Sequence, residues 1–165
     1  MIPRIVVGID PGVTGGLAFI TGRTLLALYD MPTVTDANAK RRPSGPGIAA
    51  LLREHEPDLA VIEMVNAMPS IPGKNGVRRT MGAQSAFNFG RGLGVVETAA
   101  QVLDIRTHFV LPKAWKRAAG IKPNSNKDQA RTIALQLHPE ADLHLKRDIG
   151  KADALLIAIF GATRG

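Results

Sequence analysis

The sequence has 165 residues, 45% of them hydrophobic, and no cysteine. That is enough chain for one sizeable core in one domain, and it excludes disulfides and thiolate metal sites. With 21 Lys and Arg against 14 Asp and Glu, a formal charge of +7, the surface attracts polyanions, nucleic acid first among them, although such a balance also serves solubility alone.

Residues 5–9 are apolar enough for a central strand covered on both faces. They deliver one carboxylate, Asp10, before Pro11-Gly12 breaks the ladder and Gly15-Gly16 restarts it. Pro11 has no N–H to donate, and glycines at 12, 15 and 16 permit positive φ and close backbone approach, so a tight turn is predicted. Asp10 either bonds its own turn, as turn aspartates do, or is placed for chemistry. Residues 16–21 and 24–30 read as strands two and three, joined at Gly22-Arg23, so three antiparallel strands open the fold. Residues 32–47, with Lys40-Arg41-Arg42 and Pro/Gly punctuation, read as a solvated loop whose charge serves solubility. Ile48, Leu51 and Leu52 fall at helical spacing and predict a short helix from Gly47 to His55, stopped before Pro57.

Residues 59–65 repeat the opening device, an apolar strand with a single acid, Glu63. Two buried-type strands that each carry one acid need a counter-charge, either a divalent cation or an arginine in a structural ion pair. Residues 67–79 contain Pro, Gly, Lys74, Arg78 and Arg79 and read as a mobile loop beside the acids, with a substrate-facing role. Residues 82–103 form the longest helical stretch. Gly90, Gly92 and Gly94 sit within it at about 1 kcal/mol each relative to alanine, which implies close approach of another backbone, from the sheet or from a second subunit.

Residues 105–110 return as a strand, and after Pro112 a short helix carries Lys113, Lys116 and Arg117 around the sole tryptophan, Trp115. Asn124-Ser125-Asn126 predicts a helix start leading to Lys127, Asp128 and Arg131, a basic face for phosphates or for water. In the last element, residues 148–165, Ala152, Leu155, Leu156 and Ile159 give a helical apolar pattern interrupted by Asp153, which is either solvated or placed for a purpose. Asp148 is suited to cap that helix. No apolar run approaches the ~20 residues that span a bilayer, and the Met1 end shows no cleavage-type segment. The expectation is a cytoplasmic protein with no membrane partner.

Gly8-Ile9-Asp10-Pro11-Gly12, then Val61-Ile62-Glu63, a lysine at a helix start, and Ala152-Asp153-Ala154-Leu155-Leu156-Ile157-Ala158 follow one another in an order that resembles the RuvC family of Holliday-junction resolvases. The resemblance covers roughly Ile5 to Ala162, and residues 66–94 look most like phage-type members, which places the protein in a bacterial or phage-infected bacterial cell. It implies an α/β ribonuclease H-like fold, with a mixed central sheet of three antiparallel strands followed by parallel strands, flanked by helices. It also implies an endonuclease that resolves four-way or branched DNA by paired nicks, leaving 5′-phosphate and 3′-hydroxyl ends, as a homodimer through residues 82–103. Asp10, Glu63 and Asp153 match the acids that hold two Mg²⁺ or Mn²⁺ ions; Lys127 matches a lysine near the scissile phosphate and Lys116 one that approaches the DNA backbone. Lys74, Arg78 and Arg79 are expected to add phosphate contacts. Two positions depart from the family. Its fourth ligand, three residues before the helical aspartate, falls on Gly150, leaving Asp148 as the substitute, and its aromatic wedge falls on Asn66, leaving Met68 or another loop residue to open a junction. A nuclease of the same fold acting on ribosomal RNA precursors and a non-catalytic junction-binding protein are the alternatives.

Overall fold

The computed structural model of the chain describes residues 4–64, 71–72, 78–79 and 82–164. A five-stranded sheet in the order β3-β2-β1-β6-β9 forms its centre. β1 (Ile5–Asp10), β2 (Gly16–Thr21) and β3 (Thr24–Asp30) are antiparallel; β6 (Leu59–Glu63) and β9 (Arg106–Val110) join as parallel strands, β6 on β1 and β9 on β6. The expected mixed sheet is therefore present, and β1 and β6 are its buried middle, as their uninterrupted apolar runs require.

Strand alternation sends Val7, Ile9, Leu17, Phe19, Ala60 and Ile62 to one face, where α1 (Gly45–His55) and α2 (Ala83–Gln101) cover them. Val6, Ala18, Ile20, Leu59 and Val61 go to the other, covered by α5 (Ile149–Ala162), with α3 (Pro112–Ala118) and α4 (Gln129–Leu137) beside it. Asp10 and Glu63 share the parity of Val6 and Val61, so both carboxylates turn toward the α5 side. α5 is apolar nearly all round and lies directly on β1. A Cβ at Gly8 would stand 2.2 Å from the carbonyl oxygen of Ala154 and 2.3 Å from the nitrogen of Ala158.

Several elements differ from the sequence reading. Residues 32–47 are not a featureless loop: β4 (Thr33–Thr35) and β5 (Arg41–Pro43) pair as a hairpin. α1 starts at Gly45 rather than Gly47, because Ser44 caps it by accepting the Gly47 N–H and Pro46 fits the first turn. β6 ends at Glu63, and α2 is two residues shorter at its C-terminal end than residues 82–103. The Asn124-Ser125-Asn126 segment forms a turn, with Asn124 at φ 63°, so α4 starts only at Gln129 and Lys127 precedes it. Gly12, Gly15 and Gly16 do not take positive φ. Gly15 and Gly16 serve close approach instead, since a Cβ at Gly15 would meet the Asp10 carbonyl oxygen at 2.1 Å and one at Gly16 the Tyr29 carbonyl oxygen at 2.6 Å. A two-residue pairing of Ile71–Pro72 (β7) with Arg78–Arg79 (β8) crosses the 67–79 segment.

The α5–β1 contact gives the first prediction. Gly8→Ala inserts a methyl group between two backbones that have no side chain to displace, so it is expected to cost ~3 kcal/mol or more, read as a lower denaturant midpoint. An unchanged midpoint would contradict the packing described here.

Candidate active site

Asp10 and Glu63 end adjacent parallel strands. The β1–β6 register runs through Ile9↔Ile62, so the two acids follow one step further on, about one strand spacing (~4.8 Å) apart. Asp153 comes from the second turn of α5. Glu63 is buried, and Asp10 and Asp153 are half-buried. Asp10 Oδ1 accepts the Gly12 N–H at 3.1 Å, so this aspartate does bond its own turn while also facing the other acids. Glu63 Oε1 accepts the Trp115 indole N–H at 2.8 Å. Trp115 is fully buried on α3, which begins directly beyond β9.

Burial raises the proton affinity of all three. The Asp10 carboxyl is pushed up by desolvation, partly offset by the Gly12 N–H and by Lys116. Glu63 is raised by desolvation and by Asp10, against the Trp115 bond and Lys116. Asp153 is pushed up to about 7, by desolvation first and by the charges of Asp10 and Glu63, with Lys116 opposing. Among the described residues none of the three has a salt-bridge partner. An arginine ion pair for Glu63 is thus absent there, and the bond it makes is to a neutral indole.

Three mutually repelling carboxylates with raised proton affinity are a hard-oxygen donor set for a divalent cation. Among the described residues no three His, Cys, Asp or Glu side chains close into a ready-made cage. The fit therefore rests on the donor chemistry and on the absence, among the described residues, of a salt-bridge partner for any of the three.

A cleft of about 970 Å³ opens beside Asp153 between α3 and the turn that leads to α4. It brings Lys116 and Lys127 to the same space as Asp153, and adds Lys113, Arg117 and Lys122. Lys116 Nζ sits 5.2 Å from the centre of the Trp115 ring, a cation–π contact that holds it on the acidic side. Lys122 was not singled out by sequence, where it is one more surface lysine between Gly120 and Pro123.

Asp148 stands apart. It is nearly buried, accepts the Leu145 N–H at 2.7 Å and pairs with the buried Lys151 at 3.3 Å, and these partners, not Asp10, Glu63 or Asp153, hold its carboxyl below the usual range. It occupies the N-cap position of α5, where its side chain accepts no backbone N–H of that helix and bonds only the Lys151 ammonium in it. Gly150 has a steric cause: a Cβ there would stand 2.0 Å from the Thr14 carbonyl oxygen and 2.6 Å from the Gly15 Cα, so no ligating side chain fits. Lys74, Asn66 and Met68 lie outside the described residues, and Arg78 and Arg79 are described only as the backbone of β8.

No protein-family model matches the sequence, and no curated protein matches it. Among solved structures, RuvC from Thermus thermophilus in complex with a Holliday junction substrate aligns with a TM-score of 0.64 at 16% identity, over 98% of this chain and 96% of that one. A second structure of Thermus thermophilus RuvC aligns with a TM-score of 0.59 at 16% identity, over 97% and 96%. The chain has the fold of RuvC. That is the ribonuclease H-like fold, with the mixed sheet and flanking helices expected from the sequence. No helix among the described residues is long and apolar enough to cross a membrane.

Asp153 gives a pH prediction. Its folded pKa, about 7, lies above the ordinary 3.8, so the native state holds the proton more tightly than the unfolded chain, and its contribution to stability declines as pH rises from about 4 to 7. Asp153→Asn is expected to be roughly 1–3 kcal/mol more stable than the parent at pH 8 and equal to it below pH 4, in metal-free denaturation. Equal stability at both pH values would mean that Asp153 is not held in a desolvated, acid-rich place.

Proposed function

We propose that this protein is a divalent-metal-dependent endonuclease acting on four-way or otherwise branched DNA. The observation that carries the reading is the convergence of Asp10, Glu63 and Asp153 on one side of the sheet, beside a basic cleft that contains Lys116 and Lys127, on a fold shared with a RuvC solved with its junction substrate.

The three carboxylates would hold two Mg²⁺ or Mn²⁺ ions. When bound, such ions lower the pKa of a water and draw negative charge from a phosphoryl group. The chain's own residues do the rest. Trp115 fixes Glu63 in one orientation, and the Asp10 turn fixes its neighbour. Lys116 and Lys127 attract the phosphodiester and offset the charge that builds on it during displacement. Water adds to phosphorus and the 3′ oxygen leaves with a proton, giving 5′-phosphate and 3′-hydroxyl ends.

Paired nicks need two sites related by a two-fold axis, and α2 suits that role. Gly92 takes the inward contact, with Pro43 and Pro11, whereas a Cβ at Gly90 or Gly94 would meet nothing within 4 Å. The close approach those two glycines permit is therefore not used by any other described residue. Phe87 (65% exposed) and Val102 (67%) leave apolar surface on the same helix and its end. Gly94→Leu is expected to shift the protein from dimer to monomer in sedimentation velocity at micromolar concentration. A parent that sediments as a monomer with junction present would remove α2 as an interface.

The deciding experiment compares a synthetic four-way junction, a linear duplex and a structured RNA, each with Mg²⁺. Junction-selective cutting is expected, with Asp10→Asn, Glu63→Gln and Asp153→Asn each at least 10³-fold slower and still binding the junction. Mg²⁺ should also raise the parent's melting temperature at pH 8 and have less effect on these variants. RNA-selective cutting would indicate a precursor-processing nuclease, and binding without cutting would indicate a junction-binding protein, the reading to which Gly150 in place of a fourth acid would point.

A further inference from the structure

The run Lys40-Arg41-Arg42 takes no part in the site above, yet it is built. Asp36 Oδ1 accepts the N–H groups of Asn38 at 2.9 Å and Lys40 at 3.0 Å, and the Asp36 N–H in turn donates to the Lys40 carbonyl oxygen at 2.9 Å. Ala39 takes φ 58° to close this turn. The returning strand is held in register by Thr35↔Arg41 and Val34↔Arg42, and Arg41 donates from Nη2 to Thr33 Oγ1 at 3.1 Å. Three consecutive cations, opposed by the single acid Asp36, are thereby ordered, Lys40 at the end of the turn and Arg41 and Arg42 on β5. A run that served solubility alone would need none of this ordering.

The root of the hairpin hangs on the turn that presents Asp10. The Met31 N–H donates to the Gly15 carbonyl oxygen at 3.0 Å, and the Ser44 N–H to that of Pro32 at 2.8 Å. Pro43 lies against Gly92, where a Cβ would stand 3.4 Å from its ring and 3.6 Å from the Pro11 carbonyl oxygen. Met31 belongs to the core on the α1–α2 face, whereas the Lys116–Lys127 cleft lies on the α3–α5 face. The root of the hairpin thus lies by the Asp10 turn on the α1–α2 face, and the basic cleft lies on the α3–α5 face. A single DNA backbone lying in the cleft would stay on one face of the sheet, whereas the arms of a branched DNA diverge and would be able to meet both.

We propose that the Lys40–Arg42 hairpin is a second phosphate-binding element, which grips another arm of branched DNA while the strand to be cut lies in the cleft. The proposal rests on the nuclease reading above. The test is K40A/R41A in the full chain, with K40E/R41E as a second variant; both side chains are exposed, and Arg42, which is half-buried, is left in place. Binding of a four-way junction and of a linear duplex is measured across a salt series without divalent ions. The junction is expected to bind about tenfold more weakly to K40A/R41A, with a salt slope shallower by about 2. Duplex affinity should be nearly unchanged, and single-turnover cutting at saturating junction should stay within twofold of the parent. Parental junction affinity and slope in both variants would overturn the proposal, as would an equal loss on duplex and junction. If the parent binds neither DNA, the nuclease reading falls with it; if the parent binds and the variants match it, only the hairpin's role falls.

Discussion

At Gly8, helix α5 meets β1 with no side chain between the two backbones, and at Gly150 the first turn of the same helix rests on the Thr14-Gly15 backbone. These two contacts fix the height and rotation of α5 over the sheet, and with them the place of Asp153 relative to Asp10. A larger residue at either glycine would have to lift the helix, because backbone cannot move aside as a side chain tip can. The same closeness at Gly150 removes the space in which a fourth acid would stand. The position of the third carboxylate and the lack of a fourth thus have one steric origin.

Electrostatically the site runs against the stability of the chain. Each carboxylate is desolvated, Asp10 raises the proton affinity of Glu63 and of Asp153, Glu63 adds to that of Asp153, and among the described residues Lys116 opposes the rise at all three. A structural network would have brought an arginine into contact, as happens at Asp128, where Arg131 forms a two-pronged pair at 2.7 and 2.8 Å. Lys151 could have served a similar purpose near the site, but it is committed to Asp148 and Asp142. Negative charge concentrated in this way, with no such partner among the described residues, marks a candidate functional site.

Much of this was legible in the sequence, because periodicity encodes it. Asp10 and Glu63 each close an apolar run in a position whose parity follows from the strand itself, and Asp153 interrupts a helical apolar pattern. The β4–β5 hairpin was not legible: its strands are three residues long, and what orders them is one aspartate bonding to backbone amides at the tip, for which composition gives only a polar loop. The start of α4 was misplaced because Asn124, Ser125 and Asn126 are good caps and equally good turn residues, and the left-handed Asn124 decides for the turn. The Trp115–Glu63 bond joins residues 52 apart with no spacing to suggest it, since only the parallel pairing of β6 with β9 brings α3 to the end of β6.

That bond has an optical consequence. The chain has one tryptophan, so its indole emission comes from a single position, fully buried and hydrogen-bonded to a carboxylate of the site. Any change in the charge or orientation of Glu63 acts directly on the excited-state dipole of that ring. The protein therefore contains its own fluorophore at the place where protons, cations and phosphates would meet, with no second tryptophan to dilute the signal and no label needed to read it.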